Sequence, residues 1–177
     1  MTEAELAKGC LRQDRNCQEL LYQAYSRKMY GVCIRYMRDE HHAAEALQEA
    51  FIIVFNQLNN YRHEGSLEGW IRRITINSCL KQIKKLKIQY NRFPALKENS
   101  DEVGFIDEDK LSHEEILQWI NLLPEGYKMV FNMYVFDDMS HEEIANTLNI
   151  SSSTSRTQLF KARKYLQKLY SEKNIIQ

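Results

Sequence analysis

Apolar residues recur at three- and four-residue spacing along almost the whole chain, while the strict alternation that marks strands is nearly absent. The pattern predicts an all-α protein. Leu20, Leu21, Tyr25, Met29 and Val32 fall on one stripe, which Ile34, Tyr36 and Met37 continue. A second stripe in "HHAAEALQEAFIIVFNQL" carries Ala43, Leu47, Ala50, Phe51, Val54 and Leu58. A third helix is expected over "SLEGWIRRITINSCLKQIKKL", with Ser66 as its N-cap. Between the second and third lies "NNYRHEG", a turn-forming stretch that ends in Gly65.

Residues 140–164, "SHEEIANTLNISSSTSRTQLFKARK", have a middle that is almost all serine and threonine, yet apolar residues bracket it regularly. Two short helices with a tight turn account for both features. Ser140 with Glu143 forms a capping box, and Ile144, Ala145 and Leu148 make the inner face. Asn149 tolerates the left-handed conformation needed at a helix end, and Ile150 is expected to bury in the corner. Ser151 then caps a second helix whose stripe is Leu159, Ala162, Leu166 and Leu169, with Ser155 at its start. Its other face carries Ser153, Thr154, Arg156, Thr157, Phe160, Lys161, Arg163 and Lys164. A docked apolar stripe with such a face outward has the form of a recognition helix in the major groove. An ordinary helical hairpin has the same short pattern.

Composition divides the chain. Residues 97–115 hold eight acidic side chains against two lysines, with Ser, Asn and Gly between them. That is the composition of a solvated linker, placed at residues 93–110. It separates an N-terminal helical domain, residues 1–92, from a C-terminal one, residues 111–177. The net charge of zero hides two basic segments: residues 71–92 carry seven Lys or Arg, residues 156–168 carry five, and neither has an acid. A charge run is usually a solvated face, but one in each domain points toward phosphate.

Four cysteines without a CxxC pair suit a reducing compartment, where the thiols act as small buried hydrophobes. No signal peptide and no run of about 18 apolar residues is visible, so no membrane insertion is expected and the chain reads as cytoplasmic. The histidines lack metal-ligand spacing: His41 and His42 are adjacent and diverge by about 100° on a helix, and "HEEIAN" has Asn146 and Ala145 where a second histidine would be needed. No nucleophilic triad or glycine-rich nucleotide loop is evident. No metal, no cofactor and no catalysis of its own are expected.

Two segments carry a family resemblance. "LPEGYKMVFNMYVFDDMSHEEIANTLNISSSTSRTQLFKARKYLQKL" resembles the C-terminal promoter-binding domain of the sigma-70 family of initiation factors. "AAEALQEAFIIVFNQLNNYRHEGSLEGWIRRITINSCLKQ" resembles the second conserved region of the same family. Two such regions without others are similar to the extracytoplasmic function (ECF) group, over about Leu11 to Leu169. Ser153 stands where the family often has glycine, Ser155 where it often has valine, and Ala46 replaces a usual leucine. These departures make the promoter sequence hard to read.

The resemblance implies the partners: core RNA polymerase (the β′ clamp and the β flap), promoter DNA and an anti-sigma factor. It places Glu45, Gln48, Glu49 and Phe51 on the helix that docks on the polymerase clamp. The loop and helix with Tyr61, Arg62, Gly65, Ser66, Trp70, Arg73, Asn77 and Lys81 would take the −10 element, with a flipped base in a pocket at the loop. For Trp70, an aromatic at helical spacing is more often core. The second basic helix would read the −35 element, with Arg156 and Lys161 reaching guanine or phosphate, Thr157 and Phe160 touching thymine methyls, and Arg163 and Lys164 on phosphate. From the residues alone, a dimeric helix-turn-helix regulator or a helical adaptor remains open.

Overall fold

The structure is a computed structural model that describes residues 2–37, 39–62, 64–92 and 113–175. The segment 93–112, which contains the expected linker, lies outside the described residues. Two compact units divide the chain, residues 1–100 and 101–177. Among the described residues every regular element is helical.

The first unit is built from α1 (Glu3–Leu11), α2 (Arg15–Tyr36), α3 (Glu40–Gln57) and α4 (Leu67–Arg92). Helices α2, α3 and α4 pack on one another, and α1 closes against α2. Their facing stripes form the core: Leu21, Met29, Val32, Ala43, Val54 and Ile71 are almost fully excluded from water. Leu20, expected on the α2 stripe, is instead 44% exposed, because the helix turns it about 100° from Leu21.

Helix α1 has no counterpart in the sequence reading. Its signal is Thr2 and Glu5, a reciprocal capping box in which Glu5 N donates to Thr2 Oγ1 at 3.2 Å and Thr2 N to Glu5 Oε2 at 2.8 Å. It buries Ala7 and Cys10, and Tyr25 of α2 donates its hydroxyl to Glu3 at 2.8 Å. Gly9 marks a close approach: a Cβ there would meet the Cys17 side chain. All four cysteines are free and buried, as the small-hydrophobe reading expects. Burial pushes the Cys10 thiol up to about 11, with the charges of Cys17 and Asp14 adding to it.

The second unit holds α5 (His113–Leu122), α6 (Glu125–Phe131), α7 (His141–Leu148) and α8 (Ser152–Ile175), with α5, α6 and α7 each packed on α8. Helix α6 runs into a π-helical turn, Asn132–Phe136, that widens the backbone. Asp137 N then donates to Asn132 O and Met139 N to Met133 O, with Asp138 left-handed at φ 51°. The capping box predicted at Ser140 and Glu143 is present, and Asn149 ends α7 at φ 55°, ψ 50°. Ile144, Ala145, Leu159 and Ala162 are buried between the helices. Ile150, expected in the corner, is only half-buried, as are Leu148, Leu166 and Leu169.

Candidate nucleic-acid interface

In the first unit the turn between α3 and α4 is held by short-range bonds. Tyr61 N donates to Leu58 O at 3.1 Å, and the Tyr61 hydroxyl reaches across the turn to the Gly65 carbonyl at 2.8 Å. Gly65 has φ +107°, a conformation that a side chain would strain. Ser66 Oγ accepts from Gly69 N at 3.1 Å and so caps α4, as the sequence predicts. The Tyr61 and Trp70 rings lie 5.6 Å apart at 44°.

These residues enclose an open cavity of about 340 Å³, lined by Tyr61, Arg62, Gly65, Ser66, Trp70 and Arg73 from the predicted set. Trp70 is half-buried in that wall rather than in the core, because Tyr61 covers one side of its ring. Asn60, Glu64 and Gly69 also line it and were not singled out from the sequence, although two of them sit in the "NNYRHEG" turn. Asn77 and Lys81 lie further along α4 and are exposed, outside the lining. The cavity is open, with the paired rings of Tyr61 and Trp70 in its wall and Arg62 and Arg73 among its lining residues.

Glu68 accepts from Lys28 at 2.6 Å and from Arg72 at 3.1 Å. The Lys28 bond, against a smaller effect of burial and with Arg72 helping, holds its carboxyl below the usual range. The acids expected to meet a partner helix already face α4: Lys81 donates to Glu49 at 2.7 Å, and Gln82 to Glu45 at 2.6 Å. Gln48 is exposed, and Ile52, one turn on, is 61% exposed. Phe51 is a correction. It is 3% exposed and meets Tyr22 edge-on at 4.7 Å, so it supports α3 from below and offers no docking surface.

In the second unit the predicted outer face of α8 is solvent-facing. Ser153, Arg156, Thr157, Phe160, Lys161, Arg163 and Lys164 are exposed and Thr154 is half-buried. Ser151 Oγ accepts from Thr154 N at 3.0 Å and caps the helix. Thr157 donates its hydroxyl to Ser153 O at 3.0 Å, which leaves its methyl as the group to present. Phe160 is 59% exposed, with the Lys164 ammonium 4.9 Å from its ring centroid. Ser155, expected at the start of the inner stripe, is fully buried there and bonded to His141 Nδ1 at 2.9 Å. That bond ties the first turns of α7 and α8 together.

Two family models match the chain: "Sigma-70 region 2" over residues 21–88 and "Sigma-70, region 4" over residues 113–166. The ECF RNA polymerase sigma factor SigW of Bacillus subtilis is 30% identical over 156 residues, covering 81% of this chain and 83% of SigW. The chain belongs to the ECF sigma factors of the sigma-70 family. The sigma-H factor of Pseudomonas aeruginosa is 26% identical over 94% of this sigma factor and 92% of its own length. Among solved structures, the sigma factor RpoE of Bartonella quintana, crystallised with the anti-sigma factor NepR, shares the fold with a TM-score of 0.66 at 14% identity, over 86% of this chain and 96% of RpoE. The region 2 match falls on the unit that a dimeric helix-turn-helix regulator leaves unexplained, which sets that alternative aside. No helix among the described residues is long and apolar enough to cross a membrane.

Proposed function

We propose that this sigma factor divides initiation between its two units: α8 reads the −35 element in duplex DNA, and the cavity at Tyr61 and Trp70 captures an unpaired base of the −10 element. The observation that carries the reading is that cavity, walled by aromatics and opening at the start of a basic helix. Taking a base out of the stack costs a few kcal/mol, and stacking on an aromatic returns about 1–3 kcal/mol. Strand separation on this account runs on binding energy, with the basic face of α4 holding the backbone nearby.

Core RNA polymerase is the partner that makes the two readings productive. The outward side of α3, with Gln48 and Ile52 exposed, is the surface we assign to the β′ clamp, and the second unit to the β flap. An anti-sigma factor is the expected inhibitor, since a relative with this fold was crystallised with one. Acting through polymerase, the chain is an initiation factor, and no residue is assigned a catalytic role.

Run-off transcription with purified core polymerase tests the whole. A specific transcript is expected only when this chain is added, with permanganate-reactive thymines at the downstream element. Absence of any specific transcript from genomic fragments at saturating protein would end the reading.

A further inference from the structure

In the second unit Tyr134 and His141 stack beside Arg163, an arginine expected on phosphate. Tyr134, on the π-helical turn, is 36% exposed. Its ring lies against that of His141, with centroids 4.6 Å apart and planes at 22°. The Arg163 guanidinium carbon lies over the same Tyr134 ring, 5.8 Å from its centroid. His141 is anchored in turn to the buried Ser155. Desolvation, and then the charges of Arg156 and Arg163, hold the His141 pKa below its usual value.

We propose that Tyr134 is a positioning residue for DNA backbone recognition: its ring holds the Arg163 guanidinium beside the recognition helix, aimed at a phosphate flanking the −35 element. The inference rests on the reading of α8 as that helix. An arginine on a bare helix face gives up several torsions when it pairs with phosphate. One held over an aromatic ring, 5.8 Å from its centroid, has given up part of that freedom beforehand. Its N–H donors remain for a phosphate. An exposed cation–π contact is weak, so its effect is to orient the arginine more than to stabilise the fold. Each member is held by the next, from Ser155 to His141 to Tyr134, with Tyr134 on the π-helical turn.

The test uses the full chain assembled with core polymerase and measures affinity for a duplex promoter across a range of salt. Arg163→Ala is expected to flatten the slope of log K against log salt by about 0.9, the contribution of one phosphate. Tyr134→Leu should flatten it in the same direction, Tyr134→Phe should keep the wild-type slope, and Tyr134→Leu with Arg163→Ala should lose no more than Arg163→Ala alone. All variants are compared at a temperature where circular dichroism shows them folded, and Tyr134→Gln replaces Tyr134→Leu if the latter is not. A wild-type slope in the leucine variant, an equal loss in the phenylalanine variant, or losses that simply add in the double variant would overturn the proposal. A weakened Arg156→Ala with a silent Tyr134→Leu sinks this inference alone. If Arg156→Ala and Arg163→Ala both bind normally, the reading of α8 falls and takes the proposal with it.

Discussion

Lys81 on α4 donates to Glu49 on α3 at 2.7 Å, so a cation we propose for DNA and an acid we propose for polymerase neutralise one another within the free chain. The pair is exposed, with Lys81 68% accessible, and such pairs contribute about 0–1 kcal/mol. Either partner can therefore be recruited elsewhere at small cost. Glu49→Gln should raise salt-sensitive, sequence-independent DNA affinity by freeing Lys81, while weakening capture of core polymerase. Fluorescence anisotropy with random duplex DNA and a polymerase titration read the two effects. Changes in the same direction would refute the shared role.

The Tyr61 hydroxyl bridges to Gly65, whose φ of +107° a side chain resists. Gly65→Ala meets no clash but strains the backbone, by about 1–3 kcal/mol if the turn cannot relax. It should slow open-complex formation on duplex promoters and be rescued on a template whose −10 element is already unpaired. Permanganate footprinting over time follows this. A rate unchanged from wild type would make the turn a mere connector.

On α8, Arg156→Ala should cost about 1–3 kcal/mol and relax sequence preference if its guanidinium meets a base edge. Lys164, whose ammonium hovers over Phe160, should when changed to alanine weaken binding evenly across sequences. Binding to a panel of point-substituted −35 duplexes separates the two. Uniform losses for both would move Arg156 from base to backbone.

His141 has a folded-state pKa below 6.5, so between the two values the unfolded chain holds more protons. Stability of the second unit should therefore fall as pH drops below about 6.5 through the depressed value, and be complete above it. In a thermal melt against pH, His141→Gln should remove that part of the slope. The separate loss from Glu68, depressed by its Lys28 bond, should come in only below 4.5. An identical profile for His141→Gln and wild type would exclude the histidine as its source.

Gly9→Ala should destabilise the first unit, because the new Cβ would lie within 2.8 Å of Cys17 Cβ and closer still to its sulfur. Overpacking of this kind costs about 1–3 kcal/mol. Gly9→Ala combined with Cys17→Ala removes the sulfur but keeps the Cβ, so it should recover only part of the loss in a denaturant melt. No recovery at all would exclude the sulfur contact as a source of the strain.

The apolar stripes of α2, α3 and α4, the Ser140–Glu143 capping box and the left-handed Asn149 were legible because each depends on residues within one or two helical turns. What escaped the sequence depends on distant or weakly encoded geometry. The Lys81–Glu49 bond joins residues 32 apart in sequence, which no local period reports. Phe51 lies on the apolar stripe that spacing gives, while the family resemblance put it on the docking face, and its packing against Tyr22 decides for the core. The π-helical turn has no propensity signature, so Tyr134 could not be placed beside Arg163 from spacing. Trp70 had a position but no environment until the turn folded Tyr61 across it.

All four thiols are buried, and that of Cys10 is pushed up to about 11, which leaves about one thiolate in a thousand at pH 8. Buried sulfurs of this kind react slowly with maleimides and iodoacetamides. A single cysteine introduced at an exposed site away from the assigned surfaces, such as Gln23, would be the one fast-reacting group, with no need to strip the natural ones from the core. The packing that makes these sulfurs inert thus makes the molecule ready for site-specific dyes, and with them for watching single complexes form and open in real time.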